Sequence, residues 1–287
     1  MYFGAHVKSS GGVWHAIENG VEIGCEAVQF FAGSPRTWAP TVYKEADAAQ
    51  FREARAASPI RFVLIHTIYL INLASAKEDF YEKSVTSLCG ALAAADQLGA
   101  DAIVTHIGSH QGAGFEAGLE RVQAGLRRAL ADSEGSAVRL LLENTAGAGG
   151  TMGIDFEELG AIIAAAGADP RLGICLDTAH LFESGADIRT AAGLAETLAR
   201  LDAACGRERL VALHLNDSKT ALGSNRDRHE NIGDGDLGEE GFRMIVTEPA
   251  FADLPGILEV PGLAGEGPDR ENLARLRRLA GAQANDA

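Results

Sequence analysis

Residues 138–143 read VRLLLE and residues 172–177 read LGICLD, two short apolar runs that each close on a carboxylate. Runs of this length, without polar alternation, are what strands covered on both faces require. Six more of the same kind lie outward of this pair: Tyr2–His6, Ala27–Phe31, Arg61–His66, Ala102–His106, Leu210–Leu215 and Gly256–Val260. Between them the apolar period becomes helical. Val85, Leu88 and Leu92 share one helical face, as do Leu119, Val122, Leu126 and Leu130, and so do Leu194, Leu198 and Leu201. Eight alternations of strand and helix in about 260 residues predict an α/β fold, a parallel sheet closed into a (β/α)8 barrel. No Pro- or Ser-rich linker divides the pattern, so residues 1–287 read as one domain, with a disordered tail expected from about residue 276. A doubly wound open sheet would need a Gly-rich turn after the first strand, and the sequence offers none there.

The chain has 287 residues, and its 40 acidic against 25 basic side chains give a net charge of −15. With 46% hydrophobic and 23% charged residues, a natively disordered chain is excluded. The most apolar stretch, Phe62–Leu73, is interrupted by His66 and Asn72 and is too short to span a bilayer, so no membrane partner is expected. MYFGAHVKSS at the N-terminus lacks the basic-then-apolar order of a secretory signal, which leads us to expect a cytoplasmic protein. Cys25, Cys89, Cys175 and Cys205 stand 64, 86 and 30 residues apart, fitting neither a CxxC knuckle nor a disulfide framework. A reducing compartment follows. Taken alone, the acidic balance argues against nucleic acid as a partner.

The polar residues of the strand runs are placed with a pattern. His66, His106, Glu143, Asp177, His214 and Glu259 stand at or near the ends of six successive runs, 40, 37, 34, 37 and 45 residues apart. In a (β/α)8 barrel all strand C-termini open on one mouth, so these six side chains converge. A single His or Glu at a strand end reads equally well as a hydrogen-bonded core residue. Six in succession do not, because three carboxylates buried together without cations are too costly. CLDTAH adds His180, placed at the start of the following loop, and DRHE adds Asp227 and His229, which point the same way if that segment is extended. By itself DRHE reads as a solvated charge run. Nine imidazole and carboxylate donors exceed the needs of one ion and suit three. A donor set without thiolate favours zinc, with manganese or iron as substitutes. Three divalent ions would take the net charge from −15 to −9 and leave an electropositive mouth in an acidic protein.

Other signals are weaker. Gly233-Asp-Gly-Asp-Leu-Gly238 has the GxGxxG spacing but follows a charged loop rather than a strand, which disfavours a dinucleotide role. GAGGTMG (147–153) lacks the Lys-Ser/Thr of a phosphate-binding loop. His15 and His110 read as surface residues or supports behind the mouth, and His6, at the end of the first run, as a residue that could line it.

The runs FGAHVKSSGG, HTIYLINLAS, HIGSH, LLENTAG, CLDTAH, HLNDSKTALGSNRDRHENIG and ILEVP resemble those of the endonuclease IV family of apurinic/apyrimidinic endonucleases, over nearly the whole chain. The HLNDSK…DRHENIG block is the most specific of them. The resemblance implies a xylose isomerase-like TIM barrel with three zinc ions. It implies cleavage of double-stranded DNA on the 5′ side of abasic sites, leaving a 3′-hydroxyl and a 5′-deoxyribose phosphate, and removal of blocking groups from 3′ ends. It assigns His66, His106 and Glu143 to one zinc, Glu143, Asp177, His214 and Glu259 to a second, and His180, Asp227 and His229 to a third. It also matches Arg36 and Tyr69 to an arginine and a tyrosine that enter the DNA at the lesion, although by sequence alone Tyr69 is an ordinary amphipathic loop residue. The chain departs from the family pattern at Ile107, where proline is usual, at Ala179, where cysteine is common, and at ESGADI (183–188), where AAGYDI is more usual. None of these removes a donor.

The implied chemistry is metal-assisted phosphodiester hydrolysis with Glu143 as the catalytic residue that orients the attacking water. Lys8, Arg36, Lys219, Arg226 and Arg228 are the expected phosphate contacts, and a monomer would leave the mouth free for a duplex. Two rival readings stand beside this one. A sugar isomerase or epimerase of the same barrel could use Glu143, Asp177, His214 and Glu259 alone, leaving His66, His106, His180, Asp227 and His229 as surplus. A non-catalytic DNA-damage binder or metal reservoir would fold and load metal yet leave abasic DNA intact.

Overall fold

In the computed structural model, which describes residues 1–281, eight parallel strands close a barrel. They are β1 (Tyr2–His6), β2 (Ala27–Phe31), β3 (Phe62–His66), β4 (Ala102–Thr105), β5 (Arg139–Glu143), β6 (Leu172–Asp177), β7 (Leu210–His214) and β10 (Pro255–Leu258). Each pairs with its neighbours in chain order, and β1 closes the ring against β10. Two short antiparallel strands, β8 (Asp217–Ser218) and β9 (His229–Glu230), form a hairpin between β7 and the next helix. The outer helices are α1 (His15–Ile23), α2 (Glu45–Ala56), α3 (Glu78–Leu98), α4 (Phe115–Asp132), α5 (Phe156–Ala165), α6 (Thr178–Ser184), α7 (Ala191–Cys205), α8 (Gly238–Thr247) and α9 (Arg270–Leu279). The eight strand runs and the closed topology match the sequence reading to within a residue or two at their ends.

Strand alternation sorts the side chains into two layers, because successive residues point to opposite faces. Outward-facing Val63, Ile65, Ile103, Leu140, Leu142, Ile174 and Leu176 join the large apolar layer packed against the helices. Inward-facing Leu64, Ala102, Val104, Leu141, Cys175, Ala212 and Ile257 make a separate apolar plug inside the barrel. One more step of two along the same strands gives His66, His106, Glu143, Asp177, His214 and Glu259. The donors therefore stand on a dry floor, at the C-terminal mouth, because the parity of six strands places them there. Close strand approach at the barrel wall also needs Gly4, where a Cβ would fall 2.1 Å from the carbonyl oxygen of Ala27.

The structure corrects the C-terminal boundary. Residues 276–279, expected to begin a disordered tail, form the last turn of α9, capped at its start by Asp269 accepting from the Asn272 N–H. Leu273, Leu276 and Leu279 are buried against the barrel, and that apolar stripe outweighs the charged residues around it. The rest of the expected tail, from residue 282, lies outside the described residues.

Candidate metal centre

Glu143 sits fully buried at the centre of the mouth. Its Oε2 lies 3.6 Å from His66 Nε2 and 3.5 Å from His106 Nε2, whereas its Oε1 lies 2.9 Å from His214 Nδ1. One carboxylate thus faces two donor groups with different oxygens. The first is His66, His106 and Glu143; the second is Glu143, Asp177, His214 and Glu259; within each, the donor atoms lie within 4.8 Å of one another. A third group joins Asp177, His180 and His229 within the same limit. Asp227 completes it, with Oδ2 3.3 Å from His180 Nε2 and Oδ1 3.4 Å from His229 Nε2. All nine side chains singled out by the sequence converge here.

Local structure explains the third group. His180 is not on a loop as its position after β6 suggests, but in the first turn of α6. Asp177 is the N-cap, its Oδ1 accepting from the His180 N–H at 2.9 Å. The other oxygen, Oδ2, faces the mouth, 3.8 Å from His214 and 3.7 Å from His229. Asp227 and His229 project together because the segment is extended as it enters β9, paired with β8 through Ser218 and His229.

Hydrogen bonds from behind fix which ring nitrogen is free in His66, His180 and His214. His66 Nδ1 bonds the Thr67 carbonyl at 2.7 Å and His180 Nδ1 the Asn144 carbonyl at 2.9 Å, so both present Nε2 to the mouth. His214 is reversed. Its Nε2 bonds Gln29 Oε1 at 2.8 Å, and Nδ1 is turned toward Glu143, Glu259 at 3.4 Å, and Asp177.

Three supporting amides escaped the sequence reading. Gln29 also donates from Nε2 to Glu259 Oε1 at 2.6 Å and contacts His6 Nδ1 at 3.0 Å. Asn216 Nδ2 donates to Asp177 Oδ2 at 2.7 Å, while its Oδ1 accepts from the Glu259 N–H. Asn144 Oδ1 accepts from the Asp177 N–H at 2.7 Å. A signal existed for each: an uncharged amide inside or abutting an apolar strand, at AVQFF, LLEN and HLN. All three are buried.

Burial opposes charge on Glu143, Glu259, His180 and His214, and for these four the neighbours outweigh it. Burial pushes Glu143 up, but His106, His214 and His66 outweigh it and hold the carboxyl well below the usual range. Glu259 is held down in the same way, chiefly by His214, His6 and His66. Burial pushes His180 down, but Asp177, Asp227 and Glu143 raise it well above the usual imidazole value. His214 is raised too, burial being outweighed by the Glu259 and Glu143 carboxylates, whereas burial keeps His106 low.

The donors fit divalent cations. Glu143 Oε2, His180 Nε2 and His229 Nε2 are buried with no hydrogen-bond partner. A buried group left unpaired costs about 1–3 kcal/mol, so one orphaned atom in the first group and two in the third call for positively charged occupants in both. Cys175 does not compete, because burial pushes its thiol up to about 11 and keeps it protonated.

Above the donors opens a cavity of about 990 Å³, lined among others by His6, Lys8, Phe31, Tyr69, His229 and Glu259. His6 thus lines the mouth, 3.7 Å from Glu259. Tyr69 is 63% exposed, its ring edge-on to Phe31 at 5.1 Å between centroids. Arg36, Arg226 and Arg228 are exposed on the loops after β2 and β7, and no ion pair among the described residues involves them. Lys8 and Lys219 are less free, lying 3.2 Å from Glu266 and 3.6 Å from Glu230. His15 pairs with Glu18, and His110 accepts from the amides of Gly112 and Gly114; neither joins a donor group. The GxGxxG segment has an internal anion: its amides at Gly233, Gly235, Leu237 and Gly238 all donate to the Asp217 carboxylate.

Known proteins resemble this chain over most of its length. The family model described as "Xylose isomerase-like TIM barrel" matches residues 17–279. A probable endonuclease 4 of Methanoculleus marisnigri is 44% identical over 279 residues, covering 97% of this chain and 99% of that protein. The crystal structure of endonuclease IV from Thermus thermophilus superposes with a TM-score of 0.84 at 37% identity, covering 98% of each chain. A D-tagatose 3-epimerase-like protein shares the barrel at a TM-score of 0.71 but only 19% identity, over 98% of each chain, a likeness of fold alone.

Proposed function

The chain belongs to the endonuclease IV family of xylose isomerase-like TIM barrels, and on that premise we propose that it is a metal-dependent DNA-repair endonuclease that hydrolyses the phosphodiester bond 5′ to abasic sites and trims blocked 3′ ends. The observation that carries this reading is Glu143 facing two donor groups with separate oxygens, with the third group 3.5 Å away at His180. A sugar isomerase needs only Glu143, Asp177, His214 and Glu259; it leaves the orphaned Nε2 atoms of His180 and His229 without a purpose.

His66, His106 and Glu143 would hold one zinc, Glu143, Asp177, His214 and Glu259 a second, and His180, Asp227 and His229 a third, with manganese or iron as substitutes. Bound there, divalent cations would polarise the scissile phosphate and acidify water to a pKa near 7. Glu143 is the catalytic residue, accepting a proton from the attacking water and orienting it in line with the P–O3′ bond. Water adds to phosphorus, O3′ leaves with a proton, and the products are a 3′-hydroxyl and a 5′-deoxyribose phosphate. The cavity admits an extruded abasic nucleotide, which has no base to unstack and so costs less to flip than a paired one. Tyr69 and Arg36 would enter the gap at the rim, and Lys8, Lys219, Arg226 and Arg228 would contact phosphates, giving an affinity that falls as salt rises. No helix among the described residues is long and apolar enough to cross a membrane. Free Cys25, Cys89, Cys175 and Cys205 suit a reducing, cytoplasmic location, and a monomer would keep the mouth open to a duplex.

The test is a duplex carrying one synthetic abasic site. Nicking 5′ to the site, abolished by a chelator and restored by zinc, supports the assignment. A metal-replete, folded protein that binds the duplex and leaves it intact supports the non-catalytic binder instead, and turnover of a ketose without nicking supports the isomerase.

A further inference from the structure

Glu183 lies one helical turn beyond His180 on α6 and is fully buried. It is one of the positions at which the chain departs from the family pattern, and it has no part in the nine-donor set. Its Oε1 accepts from Ser218 Oγ at 2.7 Å, from the Arg228 N–H at 3.1 Å and from Thr220 Oγ1 at 3.3 Å. Its Oε2 is buried without any partner. A carboxylate oxygen of Glu183, a ring nitrogen of His180 and an oxygen of Asp227 all lie within 4.8 Å of one another.

Two arguments converge on this side chain. A buried carboxylate with one oxygen unpaired is as costly as the orphaned Nε2 of His180 beside it, and a cation would satisfy both. Charge points the same way. Asp177 is shared with the second group, which leaves Asp227 as the one carboxylate of the third group's own, and its side chain is 56% exposed. A fully buried second carboxylate of its own adds negative charge where a divalent ion would sit. Glu and His three residues apart on one helix face are also a known way of presenting two ligands to one ion.

We propose that Glu183 is an additional protein ligand of the third cation, making that subsite His180, Glu183, Asp227 and His229, with Oε1 tying the ligand-bearing hairpin to α6 at the same time. This rests on the reading of the mouth as a three-cation centre. The consequence is a third cation held by four protein groups, retained without help from the phosphate of the substrate.

Zinc titration of the metal-stripped, full-length protein against a chromophoric chelator tests it, comparing wild type with Glu183→Gln and Glu183→Ala. Glutamine keeps an acceptor for Ser218 and Arg228 but removes the anionic donor. The expected result is three equivalents in the wild type and one of them weakened by roughly tenfold or more in both variants, the other two unchanged. Weakening in Glu183→Ala but not in Glu183→Gln would reduce the residue to a hairpin clamp and overturn the proposal, as would unchanged affinities in both. A wild-type protein that takes up no zinc would instead overturn the three-cation reading, and this proposal with it. Should neither variant fold, anomalous diffraction from zinc-soaked wild-type crystals decides: a Glu183 oxygen about 2.0–2.2 Å from the third zinc supports ligation, and one beyond hydrogen-bond range of it overturns it.

Discussion

The Nε2–H of His214 donates to Oε1 of Gln29 at 2.8 Å, and this one bond turns Nδ1 of His214 toward Glu143, Asp177 and Glu259. The same amide donates to Glu259 from its nitrogen, so Gln29 orients two members of one donor group from a strand that supplies none of the nine.

Gln29→Leu should therefore weaken metal binding without unfolding the barrel. Loss of an outer hydrogen bond to a ligand typically costs roughly 10–100-fold in affinity. Competition titration with zinc should show that loss in the equivalent held by the His214 group, and unfolding of the metal-free variant should be near that of the wild type. An unchanged zinc affinity would mean that packing alone orients His214.

Glu143→Gln separates chemistry from binding. The amide retains volume and some hydrogen bonding but neither accepts a proton nor bridges two groups as an anion. Nicking of the abasic duplex should fall by about two to four orders of magnitude, the usual contribution of a general base, while duplex affinity changes far less. Equal loss of both would indicate collapse of the whole centre.

The pH response should reverse between the metal-free and the metal-bound protein. In the metal-free state His180 and His214 stand well above the ordinary value of 6.5, so the stability they contribute is fully present below about pH 6.5. It is lost as pH rises through their raised folded values. Glu143 and Glu259, held well below 4.5, contribute stability above that pH and lose it only in acid, as pH falls through their depressed values. Cations must displace the imidazole protons, so uptake should acidify a lightly buffered solution, and affinity should fall as pH is lowered. Thermal melting of chelated and zinc-bound protein at pH 6 and pH 9 checks this. The chelated form should melt lower at pH 9, and the increment due to zinc should be larger there.

Asp217→Ala should destabilise the segment behind the hairpin. Its carboxylate accepts from the backbone N–H groups of Ser218, Gly233, Gly235, Leu237 and Gly238, and pairs through β8 with the strand that carries His229. Leaving those amides unpaired should cost about 3 kcal/mol or more in equilibrium unfolding, with Asp217→Asn intermediate. Gly235→Ala should behave similarly for a different reason: a Cβ there falls 2.5 Å from Asp217 Oδ1.

The barrel, and the convergence of six of the nine side chains, are legible because both follow from strand parity. An apolar run of odd and even faces, ending on His66, Glu143 or Asp177, declares at once that a strand is covered on both sides and what it presents at its end. The supporting amides were harder to read. Gln29, Asn144 and Asn216 carry no charge, and only their distant partners, 185 residues away for Gln29 and His214, reveal their purpose. His180 was misplaced in a loop because Asp177 reads as a strand-end donor, while its second oxygen also serves as the cap that starts α6. The C-terminal turn was misjudged because arginines around Leu276 and Leu279 conceal the stripe that buries them. Glu183 read only as a loop substitution, since nothing in ESGADI tells that its carboxylate is wholly enclosed.

The most direct measurement is elemental analysis by mass spectrometry of protein purified without added metal. Close to three divalent cations per chain, predominantly zinc, is the expected result. A single cation per chain, unchanged after incubation with excess zinc and removal of the surplus, would contradict a centre built from three donor groups around Glu143.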